Sequence, residues 1–282
     1  QSNQLIQITG DLAFSEIENF NIFGGLALAG ITGIVVIGGL KRIAEVATFL
    51  VPLMGSIYFG AMIVALTLNL NLVLPAFKLI LVDAFNGTAI AGGTFFGVLI
   101  YGVRRGAFSN EAGMGTESLV HGVAKVSNPV KQGLVAMTGP IFDTLIICTA
   151  TALMILVSGV WETSSSQGVT LTAEAFSILL GSFGGLILFI CVICFGLSTI
   201  FTYSYYGASC SRFLFGRFGM KFYIYLYILS IFIYSIVPID IAINIADGAF
   251  AMMAIPTLIS ALWLAPKVMQ ASKIYFKLID NN

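Results

Sequence analysis

The chain is 282 residues long, 58% hydrophobic and only 9% charged, with a formal net charge of zero and a mean hydropathy of +1.00. A soluble domain carries about a quarter charged residues, so composition excludes a soluble globular protein, and a neutral chain with scattered basic pairs gives no sign of nucleic-acid binding. Apolar runs of roughly 20 residues, enough to span hydrocarbon, recur along the whole length, and they are continuous rather than alternating, which selects helices over a barrel.

Residues 1–20 are polar and carry Asp11, Glu16 and Glu18, as an external loop or a short amphipathic segment would. The absence of an initial Met or a signal peptide points to a piece of a longer protein. A first span is predicted over Phe23–Leu40, closed by Lys41-Arg42, and a second over Val46–Leu70, kinked at Pro52. Pro75 is expected to open a half-helix reaching Ile90. A break at Gly92-Gly93 follows, and a second half-helix runs to Tyr101 or Val103, the two halves crossing the membrane once. A polar, glycine-punctuated loop, Ser109–Gly115, comes next, then a span over Leu134–Ser158 with Asp143 inside it. Beyond a loop at Trp161–Thr172 lie a short amphipathic piece, a breaker at Gly181–Gly185 and a long span over Leu186–Tyr206. Two last spans, Phe222–Val237 and Ile241–Leu264, are joined by a tight turn at Pro238, and a basic tail closes the chain.

If these spans alternate, twelve of the thirteen basic residues fall on one side and only Lys78 on the other. The excess of Lys and Arg in cytoplasmic loops then makes that side cytoplasmic. The expectation is about seven crossings, with an external segment 1–20, a helical membrane domain 21–266 and a cytoplasmic tail 267–282.

Three stretches could carry chemistry. A helix broken at membrane depth exposes carbonyls from one half and amides from the other, which is costly unless the break lines a cavity or holds a ligand. The amides near Thr94 and Phe95 could hold a carboxylate at a helix N-terminus. Paired glycines equally permit the close approach of two helices. Ser198-Thr199 offers adjacent hydroxyls as hard ligands for a small cation, or simple bonding back to the helix's own carbonyls. Asp143 and Asp247 sit where an ionised carboxylate is expensive, with an arginine of the preceding loop as a candidate partner for Asp143. Cys191 and Cys194 form a CxxC inside an apolar run, which reads as packing. His121, the single histidine, reads as a solvated loop or amphipathic-helix residue. Nothing has the spacing of a catalytic triad, a phosphate loop or a metal cluster.

RRGAFSNEAGMGT, Arg104–Thr116, resembles the signature of the alanine or glycine:cation symporter family of sodium-coupled amino acid carriers. The stretches 38–58, 128–153, 195–207 and 246–266 resemble the same family, so the likeness covers nearly the whole chain. It implies a leucine-transporter-type fold of two inverted five-helix repeats, each opening with a broken helix, with this chain supplying core helices four to ten. The fold class implied is therefore an all-α integral membrane protein holding an incomplete inverted-repeat fold. It further implies that Thr88, Gly92, Gly93, Thr94 and Phe95 face an alanine or glycine substrate, with Phe95 closing over it. Ser198 and Thr199 would hold the co-transported sodium ion, and Asn110 and Glu111 would belong to a gating loop at the inner mouth. A non-transporting membrane accessory subunit derived from such a carrier stands as the alternative. Two positions depart from the family pattern, Thr257 after Ile255-Pro256 where an Asn is usual, and Phe250 where another Asn is expected. The first broken helix and the third helix are not in this chain, so by itself it is expected not to transport.

Overall fold

The computed structural model describes residues 1–14, 17–85 and 94–280, and of Leu12, Ala13, Thr94, Phe95 and Asp280 the backbone alone. The described residues are helical, with no strand among them. The helices are α1 Ser2–Ala13, α2 Phe20–Val36, α3 Gly39–Leu68, α4 Leu70–Ala84, α5 Thr94–Asn110 and α6 Thr116–His121. Then come α7 Pro129–Pro140, a π segment Ile141–Cys148 and α8 Thr149–Ser158, which together form one rod, followed by α9 Val160–Thr163, α10 Val169–Leu180, α11 Ser182–Ile236 and α12 Ile239–Asp280. Four of these rods, Gly39–Leu68, Pro129–Ser158, Ser182–Ile236 and Ile239–Ile279, are long and apolar enough to cross a bilayer. The chain is a multi-pass membrane protein.

By internal packing the chain forms two compact units, residues 1–82 with 150–243 and residues 83–149 with 244–282. In the first unit α11 is the axis, and α1, α2, α3 and α10 all pack on it. Leu5 and Ile6 of α1, Leu28 and Val36 of α2, Ile43 of α3 and Ile200, Phe201 and Ile231 of α11 are buried together. Between helices in lipid the attraction comes from close van der Waals packing rather than from water, and one contact shows it directly. A Cβ on Gly25 would lie 2.7 Å from the Ser235 side chain, so only glycine lets α2 come that near. A smaller cluster joins Ala76 of α4 to Leu153 and Val157 of α8.

At about 1.5 Å per residue a straight 55-residue helix would exceed the roughly 30 Å hydrocarbon core more than twofold. α11 is not straight. Gly216 has φ 69° and ψ −157°, a region open essentially to glycine alone, and it divides the element into 182–215 and 217–236. These hold the two spans expected at Leu186–Tyr206 and Phe222–Val237. The expected break before α11 is confined to Gly181, with the same dihedral angles, and Gly184 and Gly185 are already helical.

The polar N-terminal segment has a packing role that its composition did not announce. Asn3 Nδ2 donates to the Val237 carbonyl at 2.7 Å, satisfying an orphan acceptor at the end of α11. Gln4 Oε1 accepts from the Val169 amide at 3.2 Å, capping the start of α10.

Several boundaries differ from expectation. α3 opens at Gly39, so Lys41 and Arg42 belong to its first turn rather than to a loop. α4 opens at Leu70, more than a turn before Pro75, which the helix contains. α5 continues through Arg104-Arg105 to Asn110, because Arg, Ala and Phe carry a helix on until the glycine-rich residues stop it. The signature loop therefore shrinks to Glu111–Gly115. The basic tail 267–280 is a helical continuation of α12 across Pro256 and Pro266. Thr88, Gly92 and Gly93, and with them the expected helix break, lie outside the described residues.

Candidate functional site

The second unit gathers most of the polar chemistry, and it is built on the C-terminal half of α5. α5 packs along the π segment, and α6 packs on α7. The chain turns between α5 and α6 through three left-handed residues, Glu111 at φ 57°, Gly113 at 83° and Gly115 at 86°. The Glu111 conformation is uncommon for a side-chain-bearing residue. Asn110 stabilises it by accepting from the Ala112 amide through Oδ1 at 2.9 Å, an Asx turn. The other end of the Asn110 amide donates to Thr144 Oγ1 at 3.0 Å. One side chain thus shapes the turn and ties it to the π segment.

The neighbouring Ser109 donates to Asp143 Oδ2 at 2.6 Å, and Thr144 lies 3.3 Å from the same oxygen. Asp143 is therefore held by hydroxyls, not by the loop arginine that the sequence suggested. The arginines go elsewhere: Arg105 Nη2 is 3.2 Å and Arg104 Nη1 3.7 Å from Asp247 Oδ2 on α12. Arg105 also lies over the Tyr101 ring, 5.1 Å from its centroid, so its guanidinium is fixed on two sides. The pairing follows from cost, since a half-buried carboxylate takes the nearest guanidinium fork. Both partnerships could have been anticipated from the need of every membrane-depth carboxylate for a donor, but which donor serves which acid depends on the helix pairing.

The Arg105–Asp247 pair bears on depth. With Arg104-Arg105 at the inner face and Ile241–Leu264 descending from the outer one, Asp247 and Arg105 would stand on opposite sides of the bilayer. The ion pair brings them to one level, so one of those two placements is displaced. Beyond it, the last turn of α5 and the turn that follows meet α12 in the same residue order. Phe108 meets Phe250 edge-on at 4.9 Å, and a Cβ on Gly115 would lie 2.7 Å from Thr257 Oγ1.

His121 is not simply solvated. Its Nδ1 is 2.6 Å from Gln132 Nε2, which ties α6 to α7, and its Nε2 lies 3.6 Å from Glu117 one turn back on its own helix.

Ser198 and Thr199 belong to the first unit, on the first half of α11. Ser198 is buried and donates from Oγ to the Phe195 carbonyl at 2.9 Å. A hydroxyl that donates its proton keeps two acceptor lone pairs, so this bond orients the oxygen without consuming its capacity to ligate a cation. Thr199 is half-buried and makes no side-chain hydrogen bond among the described residues. Thr94 and Phe95 are the first described residues of α5.

All 282 residues, 1–282, match the model of the sodium:alanine symporter family. The chain belongs to that family. It is 35% identical over 279 residues to the sodium/alanine symporter AgcS of Methanococcus maripaludis, covering 97% of this chain and 61% of that protein. It is 37% identical over 265 residues to the uncharacterized transporter YflA of Bacillus subtilis, covering 91% and 56%. It is 34% identical over 280 residues to the probable sodium/glutamine symporter GlnT of Bacillus subtilis, covering 97% and 58%. The chain thus spans about six-tenths of the length of these curated relatives.

For a member of this family the two departures from pattern acquire a shared location. Phe250 packs on Phe108, and Thr257 Oγ1, which donates to the Met253 carbonyl at 2.8 Å, crowds Gly115. Together with Asp247 they occupy one stripe of α12, three and seven residues apart, and that stripe is the seat of the signature segment.

Proposed function

We propose that the full-length protein is a secondary carrier that moves a small neutral amino acid, alanine or glycine, together with sodium across the cell membrane by alternating access. The observation that carries this reading is the family match along the entire chain, with its signature at Arg104–Thr116. The other named relatives point the same way, being called symporters or amino-acid carriers, which speaks against a non-transporting accessory subunit. The reading includes a leucine-transporter-type fold with about seven crossings supplied by this chain, an external segment 1–20, a membrane domain 21–266 and a cytoplasmic tail 267–282.

Within that reading, the substrate lies against Thr88, Gly92, Gly93, Thr94 and Phe95. Its carboxylate is met by the amides opening α5, where a helix N-terminus carries about half a positive charge. Sodium is the co-substrate, held in part by Ser198 Oγ and Thr199 Oγ1. The geometry of Ser198 supports this, since its proton is already donated to Phe195 and its lone pairs are what it can offer. Asn110 and Glu111 act at the inner mouth, where the tie from Asn110 to Thr144 couples the signature turn to the π segment. Among the described segments π-helical turns are confined to 141–148, and such turns are frequent at functional sites.

The test is sodium-dependent uptake of radiolabelled alanine by the full-length protein in liposomes, with Ser198→Ala and Thr199→Ala alongside. Uptake that needs sodium, with a raised half-saturating sodium concentration in both variants, is the expected result. Uptake of glutamine but not alanine or glycine would overturn the substrate assignment, and an unchanged sodium dependence in both variants would overturn the ion site.

A further inference from the structure

The surface of the first unit carries an open, shallow groove of about 820 Å³ between α2 and the second half of α11. It is lined by apolar groups along its length, with Gly30, Gly33 and Ile34 from α2 and Tyr225 and Ile228 from α11 among them, and Arg42 is its one charged lining residue. The register of the two helices locates that charge. Gly25 faces Ser235 and Gly33 faces Ile228, so the helices are antiparallel and each step along one is a step back along the other. That register sets Val36, the last residue of α2, level with Tyr225, so Arg42, which reaches back to the end of α2, marks one end of the groove, and Lys221 lies one helical turn beyond Tyr225 in the same direction.

Arg42 is held there by the fold. Its Nη1 donates to the Ile34 carbonyl at 2.8 Å, one of the acceptors left over at the C-terminus of α2, where a cation is also favoured by the helix dipole. Its side chain lies over Gly38, where a Cβ would meet Arg42 Cδ at 2.6 Å. Lys41 is drawn partly toward Glu45 at 3.9 Å, which leaves Arg42 and Lys221 as the main positive charges. The groove floor is open at Gly30, where an added Cβ would meet no atom within 4 Å, so no neighbouring helix within the described residues requires a glycine there.

An apolar trough that is cationic at one end only is complementary to an amphiphile with an anionic head. We propose that this groove binds one anionic phospholipid, its acyl chains lying over Gly30 and Gly33 and its phosphate against Arg42 and Lys221. The inference rests on the membrane setting of these helices and not on transport, so its failure and that of the carrier reading are separately visible.

The test uses full-length protein in detergent, loaded in turn with phosphatidylglycerol and with phosphatidylcholine of the same chains and examined by native mass spectrometry. Preferential retention of one phosphatidylglycerol is expected. Arg42→Gln should weaken that preference about five-fold, the effect of one basic residue near an anionic headgroup. Gly30→Leu should abolish retention of both lipids with the melting temperature held, and Gly30→Ala, which adds a single methyl to open space, should reduce it. Equal retention of the two lipids by the wild type would overturn the proposal. So would retention unaltered in both Gly30 variants, or the absence of any retained lipid, the result expected if a protein segment fills the groove.

Discussion

Asp247→Asn removes the shared acceptor of Arg104 and Arg105 while keeping the size of the side chain. The Asp247 side chain is 14% exposed, Arg105 36% and Arg104 55%. Two opposite charges about 4 Å apart attract by roughly 4 kcal/mol at an effective dielectric of about 20, before side-chain ordering and solvent screening reduce it. Arg104 is more than half exposed, so its share falls toward the ~0–1 kcal/mol of a surface pair. Arg105 lies between that limit and the ~3–5 kcal/mol lost when a buried pair is broken. The expected loss is about 1–3 kcal/mol, or a melting temperature lower by roughly 2–5 °C for a unit of this chain size and less for a longer cooperative unit. The assay is thermal unfolding of the full-length protein in detergent micelles, run as a cycle with Arg105→Gln and the double variant. A coupling of roughly 0.5–1.5 kcal/mol is expected, in the range seen for polar pairs inside membrane proteins. Additivity within about 0.3 kcal/mol would refute the pairing, and with it the placement of Asp247 and Arg105 at one depth.

Gly115→Ala forces a side chain into φ 86° and against Thr257 Oγ1, so the signature turn should lose about 1–2 kcal/mol from the backbone alone and more from the clash. Adding Thr257→Ala should restore the clash portion and leave the backbone portion, and full recovery would refute the backbone term. Asn128 accepts from the Val130 amide at 2.9 Å and caps α7; Asn128→Ala should cost about 0.5–2 kcal/mol, read in the same melting assay, while Asn128→Ser should retain most of it. Glu174 lies on α10, a helix too short to cross the bilayer, and the Ser166 hydroxyl, then that of Ser164, hold its carboxyl below the usual value of 4.5. A depressed folded-state value means stability present above pH 4.5 and lost as pH falls through the lower folded value. Ser166→Ala should therefore lower the melting temperature near neutral pH, with the difference from wild type shrinking as pH drops below 4.5; a difference independent of pH would refute it.

Composition alone determined that this is a helical membrane protein, because continuous apolar runs with so few charges have no other stable setting. The breaks at Gly181 and near Pro238 were equally legible, since glycine and proline act on the backbone locally, whatever the helix later packs against. Helix lengths were less so. Lys41-Arg42, Arg104-Arg105 and the tail lysines read as loop by charge, yet they are good helix formers and continue the apolar rods they flank. The signature segment was legible as a motif, but its attachments were not. Ser109 to Asp143, Asn110 to Thr144 and Arg105 to Asp247 join residues 34, 34 and 142 positions apart. A sequence shows that a carboxylate at membrane depth needs a donor, while the choice among several donors depends on which helix faces come together. That choice belongs to the tertiary structure, as does the groove beside α2, which exists only because residues some two hundred positions apart form its two walls.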